Sequence, residues 1–328
     1  MKNRRKLVVA LCSGALAAPL ASFGQLPARV WRVGFLHQSN RPESIEESFI
    51  GAFPEGMREL GYVVGKNLTI DWRFSDNIPG REMALATELA HEKVDVIITS
   101  GTSTAKAAQA ATSTIPIVMA SSGDPVAGGL VKSLVRPGGN ITGLTNIMAD
   151  VIPRLLGILV DMVPRLSRVA VLLNQTSSTM PLKSLEAMAR PAGITIVPIS
   201  VQSPQELERA FARMVQLKAG ALIVVRDPAL NRQLRQIAEL AARHRLPTIA
   251  GIREYAEAGG LMSYGSNLAQ QFRRAATFVD KIFKGAKPGD LPIEQPTKFE
   301  LFINGKTARS LGLKIPQSLL ISADKVIE

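Results

Sequence analysis

One cysteine, three histidines and few aromatic residues set the first limits on this chain. Cys12 lies inside an apolar N-terminal stretch, and Leu11 stands where a lipoprotein anchor would need a small residue. With that stretch removed no cysteine remains, which excludes disulfides, a thiolate nucleophile and cysteine ligation of metal. His37, His91 and His244 are scattered, so no dedicated zinc site is expected. Aromatics make up only 5% of the chain against 46% hydrophobic residues overall, so the core must be built of Val, Ile, Leu and Ala. That composition suits a buried parallel sheet covered by helices. A length of 328 residues is enough for two domains of ordinary size.

The N-terminus reads as a targeting segment. Lys2, Arg4, Arg5 and Lys6 precede an apolar or small run from Leu7 to Leu20, and Ala21, Ser22 and Gly24 follow. These are the three parts of a secretory signal peptide, expected to be cleaved after Gly24, or alternatively after Ala21. The run is too short for a membrane span, which needs about 20 residues. Arg4-Arg5 also matches a twin-arginine signal loosely, so both export routes stay open. The formal charge is +12, and removing the four basic residues of the segment leaves +8. The bases are scattered, without an arginine-rich stripe or interleaved aromatics, so a soluble basic surface is expected and no nucleic-acid partner.

After this segment, short apolar runs alternate with helical stretches. Strands are expected at Arg32–Leu36, Asn67–Phe74, Val94–Thr99 and Pro116–Ala120, with helices at Ile45–Leu60, Arg81–His91 and Thr102–Thr112. About 130 residues later the series recurs. Strands are expected at Arg168–Leu173, Ile194–Ile199, Ala221–Val225 and from Pro247. Helices are expected at Pro181–Ala192, Pro204–Leu217 (Ser203 and Glu206 forming a capping box) and Leu230–Arg245. Alternating β and α elements imply right-handed crossovers and parallel sheets. Written twice, they imply an α/β protein of two doubly wound lobes, the alternative being one long sheet. Arg136-Pro137-Gly138-Gly139 forces a turn before an extended link, Ile141–Asn146. Further extended stretches at Gly260–Tyr264 and Pro296–Ile303, with helices at Ala269–Lys284 and Gly305–Leu311, indicate that the chain crosses between lobes more than once. The expected division is 30–143 plus 264–288 for the first lobe and 144–263 plus 289–328 for the second.

Ligands of open parallel α/β sheets bind outside the carboxyl ends of the strands. Those ends carry His37-Gln38-Ser39, Ser100-Gly101-Thr102-Ser103-Thr104, Ser121-Ser122-Gly123-Asp124, Asn174-Gln175, Arg226-Asp227 and the segment Gly251–Tyr255 with Glu254. Most of these residues are polar but uncharged, suited to hydrogen-bonding a ligand without a catalytic pKa. The Ser100–Thr104 run enters a helix, where free backbone N–H groups favour an anion such as a carboxylate, with helix capping as the alternative role. Asp124, Asp227 and Glu254 are candidates to hold a ligand cation, and Tyr264 is a further candidate ligand contact. Gly101-Thr102-Ser103-Thr104-Ala105 falls one glycine short of the hydrolase nucleophile elbow, so a serine hydrolase acting through Ser103 is an alternative reading. Gly123–Gly129 lacks the Gly-Lys-Ser/Thr end of a P-loop, and no G-x-G-x-x-G follows the first strand. No catalytic residue, cofactor or metal is expected.

Three runs then carry a family resemblance: Ile115-Pro116-Ile117-Val118, Gly123-Asp124-Pro125-Val126 with Gly129-Leu130-Val131, and Arg136-Pro137-Gly138-Gly139-Asn140-Ile141-Thr142-Gly143. Leu291–Phe299 and Leu311-Gly312-Leu313 add to it. The chain resembles the ABC transporter substrate-binding proteins, a family that includes tryptophan-binding members, over nearly its whole length after residue 24. The resemblance implies a type 1 periplasmic-binding fold, two lobes joined by a three-crossover hinge, closing on a small ligand in the periplasm. It implies delivery of that ligand to a membrane permease with its ATPase, by a monomer that meets the membrane only through the permease. It places Ser100–Ser103, Ser122, Asp124, Thr145-Asn146 and Asp227 in the cleft. Hinges are expected near Asn140–Asn146, Leu261–Tyr264 and Lys287–Pro292. At Leu173-Asn174-Gln175 the chain departs from the tyrosine-asparagine-serine type of segment found in members that bind aromatic amino acids. A soluble ligand-sensing receptor domain is the remaining alternative.

Overall fold

β-Branched and leucine-rich runs become two mainly parallel sheets, each covered by helices on both faces. The computed structural model describes residues 29–146, 151–175 and 180–328. The expected signal peptide at 1–24, with Cys12, lies outside them. Trp31–Glu328 forms one unit.

The first sheet holds β1 (Trp31–His37), β2 (Leu68–Phe74), β3 (Val96–Ser100), β4 (Ile117–Ser122) and β5 (Ile141–Thr145), in the order β2-β1-β3-β4-β5 and parallel throughout. Alternation along β3 decides which helices it meets. Val96 and Ile98 join the core with the helices Ala52–Glu59 and Leu268–Phe283, and Ile97 joins the core with Arg81–His91 and Thr102–Ala111. The second sheet holds β6 (Arg168–Asn174), β7 (Thr195–Val201), β8 (Ala221–Val224), β9 (Thr248–Ala250), β10 (Met262–Ser266), β11 (Phe299–Asn304) and β12 (Lys325–Ile327). Its order is β12-β11-β10-β9-β8-β6-β7, with β10 and β11 antiparallel and the other pairs parallel. Along β6, Val169, Val171 and Leu173 meet the helix Val151–Met162, while Ala170 and Leu172 meet Leu207–Gln216 and Leu234–Arg243. The single long sheet is therefore excluded.

The structure departs from expectation in specific places. No element was expected between Asn146 and Arg168, yet Val151–Met162 is a helix with seven buried apolar residues. Ser203 makes no capping bond. Instead Glu206 accepts from the backbone N–H of Gln202 at 2.9 Å, so the expected capping box does not form. The passages between sheets also fall later than the sequence suggested, because the extended chain continues to pair. β10 runs on through Ser266 in the second sheet, and the helix Leu268–Phe283 then packs on the first. Glu294 still pairs beside β5, where Thr145 N–H donates to Glu294 O at 2.9 Å and Glu294 N–H to Gly143 O at 2.9 Å. Gly143 is required at this crowded seam: its φ is +120°, and a Cβ there would lie 2.3 Å from Met119 O.

Candidate functional site

In each sheet the chain turns one way from its first strand and then the other, which creates a switch point. In the first sheet this lies between β1 and β3, and in the second between β6 and β8. The carboxyl ends at these two points carry most of the residues singled out from the sequence. Gln38 N–H donates to Ser100 O at 3.4 Å across the first, and Asn174 Nδ2 donates to Asp227 Oδ1 at 3.1 Å across the second.

On the first lobe the pairing register shifts at Thr99/Ser100 and between Met119 and Ser122, which re-aims both strand ends next to the site. Gly101 turns the chain from β3 into its helix at a φ of +113°, and its N–H donates to Ser121 O at 2.8 Å. The helix Thr102–Ala111 begins at Gly101 with no side-chain cap and no acidic residue in its first turn. The Ser/Thr run is thus not spent on capping. Thr102 Oγ1 instead accepts from Gly123 N–H at 3.0 Å and lies 3.4 Å from Ser122 Oγ. Ser103 Oγ donates to Glu82 Oε1 at 3.4 Å rather than to a histidine. Thr145 Oγ1 donates to Gly123 O at 2.7 Å, which fixes the turn after β4. Asn146 N–H donates to Ser122 O at 2.5 Å, while its side-chain amide is 5% exposed and has no hydrogen-bond partner at either atom. An amide buried without partners is costly, and it is the kind of group a ligand satisfies.

The acidic candidates separate. Asp124 is exposed, and Oδ1 accepts from the N–H groups of Val126 and Ala127 at 2.9 and 3.0 Å, so it holds its own turn. Asp227 caps the short helix Pro228–Asn231 by accepting from Ala229 N–H at 2.8 Å. Glu254 is half-buried, with its Oε2 atom buried and unpartnered. Burial pushes its carboxyl pKa up, against the pull of its own backbone N–H and of Arg226.

Ser39 N–H donates to His37 Nδ1 at 2.9 Å, and Gln175 accepts from Gln202 at the edge of the second switch point. Tyr264 is not brought to the strand ends. It stacks on Phe299 with ring centroids 5.8 Å apart and lines a separate pocket with Arg154 and Leu319. Its alternation along β10 puts it with Met262 on the face toward Val151–Met162.

Arg226, which follows β8, was named at a strand end but not as a candidate ligand contact. Its Nη2 reaches Ser121 Oγ on the first lobe at 3.4 Å, and burial pulls its pKa down to about 10 against the opposing charge of Glu254. The carboxyl-end rule points to its position, but its contact with Ser121 exists only where the two sheets meet. A second link joins the lobes where Arg232 Nη1 donates to Asn40 Oδ1 at 2.6 Å. The two switch points therefore bring together strand ends, the start of a helix, an orphan amide and one half-buried guanidinium.

Comparison with known proteins places this arrangement. The family model described as "ABC transporter substrate binding protein" matches residues 43–327. A protein of Clostridioides difficile (strain R20291) named "Tyrosine-binding protein" is 26% identical over 276 residues, covering 84% of this chain and 78% of that one. A conserved domain protein of Vibrio cholerae has a solved structure that superposes with a TM-score of 0.84 at 25% identity, covering 91% of this chain and all of its own. A Streptococcus pneumoniae ABC domain solved in complex with L-Trp gives a TM-score of 0.82 at 24% identity, again over 91% of this chain and all of its own. The architecture is that of the type 1 periplasmic-binding fold. The matched family and the curated relative are substrate-binding proteins, not enzymes. Among the described residues, no helix is long and apolar enough to cross a membrane.

Proposed function

The chain belongs to the ABC transporter substrate binding protein family, and from that premise we propose that it is the extracytoplasmic solute-binding component of an ABC importer. It holds an amino acid or a related small carboxylate between its lobes, and hinge closure presents the loaded form to a permease with a cytoplasmic ATPase. A signal peptide at residues 1–24 takes the chain to the periplasm.

The observation that carries this reading is the meeting of the two switch points, with Arg226 of the second lobe reaching Ser121 of the first. A ligand held by both sets of strand ends favours the closed state, because only closure brings both sets to it. The hinge would lie at the passages after Asn146, at Asn267 and between Glu294 and Phe299, where the chain leaves one sheet for the other. Gln38, Ser39, Ser100, Gly101, Thr102, Ser103, Ser122 and Asn146 form the first-lobe wall, with Asn174, Gln175, Asp227 and Glu254 on the second. The relative named as tyrosine-binding and the neighbour solved with L-Trp favour an amino acid.

Isothermal titration of the purified full chain against a pool of amino acids and small organic acids tests the reading. Saturable heat and a raised melting temperature with at least one member are expected. Neither heat nor a melting shift with any member overturns the amino-acid assignment. A serine hydrolase acting through Ser103 would instead show esterase activity lost in Ser103→Ala.

A further inference from the structure

Taking the cleft as the solute site, we propose that Arg226 is the second lobe's anchor for an oxyanion of the ligand, so that the site selects solutes carrying a carboxylate. The guanidinium offers five N–H donors in a planar fork, and the side-chain bond it makes to Ser121 Oγ, at 3.4 Å, is long for a hydrogen bond. A half-buried guanidinium whose one side-chain bond is this long is poorly compensated, and the pull of its pKa down to about 10 by desolvation agrees. Glu254 does not neutralise it by contact. Glu254 Oε2 has no hydrogen-bond partner, the two groups interact only through space, and burial favours the uncharged form of Glu254. Arg226 therefore stands without a carboxylate in contact range.

Opposite the guanidinium stand groups that suit the same oxyanion. Ser121 adjoins Ser122, whose carbonyl receives the Asn146 N–H, and the partnerless Asn146 amide is buried there. Gly101 N–H is bonded to Ser121 O, so the uncapped start of the helix Thr102–Ala111 adjoins the same strand end. A carboxylate in this corner would take a forked pair of bonds from Arg226 and further donors from the first lobe. One ligand group would then be shared by both lobes, and closure would require its charge.

The test uses the purified full chain, with Arg226→Gln, which removes the charge, and Arg226→Lys, which keeps it without the fork. L-Tyrosine, L-tryptophan and L-leucine are titrated beside their carboxamides. Propionate is compared with propionamide by melting temperature, with ionic strength matched by chloride. The expected result is that an amino acid binds wild type about 100-fold more tightly than its amide, that Arg226→Gln loses about 100-fold, and that Arg226→Lys falls between. Without ligand, Arg226→Gln should melt no lower than wild type, whereas a merely structural role would lower it. If an amino acid binds Arg226→Gln as tightly as wild type, solute binding stands and the role of Arg226 falls. If no amino acid binds but propionate stabilises wild type and not Arg226→Gln, the amino-acid assignment falls and the anchor stands. If neither probe acts through Arg226, both are overturned.

Discussion

The Tyr62 hydroxyl donates to Asp280 Oδ1 at 3.0 Å, joining segments 218 residues apart in the chain. Asp280 is 8% exposed and also receives Lys284, and Trp31 stacks on Phe283 at 3.9 Å nearby. Burial and this bond push the Tyr62 pKa up to about 12. Tyr62→Phe removes a charge-assisted bond and should cost about 1–2 kcal/mol, read as a lower urea midpoint with an unchanged slope.

His37 is 7% exposed between the rings of Phe49 and Phe74, and its Nδ1 accepts from Ser39 N–H. That bond needs the neutral ring with its proton on Nε2. Burial lowers the pKa from 6.5 to about 4, so between those values the unfolded chain binds the proton that the folded chain refuses. Stability from this group is complete above pH 6.5 and is lost as pH falls toward 4, by up to ~3 kcal/mol. His37→Asn should flatten this part of a melting-temperature profile between pH 7 and 4.

Two glycines should respond in opposite directions to alanine. Gly143→Ala places a Cβ against Met119 O at a positive φ and should cost ~3 kcal/mol or more, seen as a large drop in melting temperature. Gly157 lies inside the helix Val151–Met162 with nothing within 4 Å of an added Cβ, so Gly157→Ala should gain about 0.5–1 kcal/mol.

Phe272, fully buried on the helix Leu268–Phe283, meets Phe35 and Phe49 with centroids 6.0 and 5.4 Å away. Phe272→Ala should cost about 3–5 kcal/mol, measured by denaturant unfolding.

The strands were legible because their signal is local. Val94–Thr99 stands out by β-branching and forms β3 two residues further on, at Val96–Ser100. The helix Val151–Met162 was not expected; it carries Pro153 and Gly157, two poor helix formers, in a run without polar alternation. In the folded chain Pro153 sits in the first turn, where its missing N–H costs nothing. The strand ends could be located, but not what each side chain does there. Asp124 and Asp227 bond to backbone two residues on, a choice made by turn geometry. Tyr264 followed from the expected stretch Gly260–Tyr264. Its face is set by the register of β10 with β11, which needs the partner strand to be known. Arg226 could be placed at a strand end, but its contact with Ser121 depends on the other sheet and leaves no mark in its own neighbourhood of the sequence.

The helix Leu268–Phe283 packs on the first sheet although five strands of the second, β6 to β10, separate it from β5 in the chain. During synthesis the first lobe therefore cannot finish folding when its own strands emerge. Phe35 and Phe53 wait for Phe272 until the ribosome has passed residue 283, and Leu144 waits longer for Glu294. Such long-range closure slows folding and leaves apolar surface open in the nascent chain. A fragment ending after β5 should consequently aggregate, while the intact chain can close its first sheet only once its last quarter has been made.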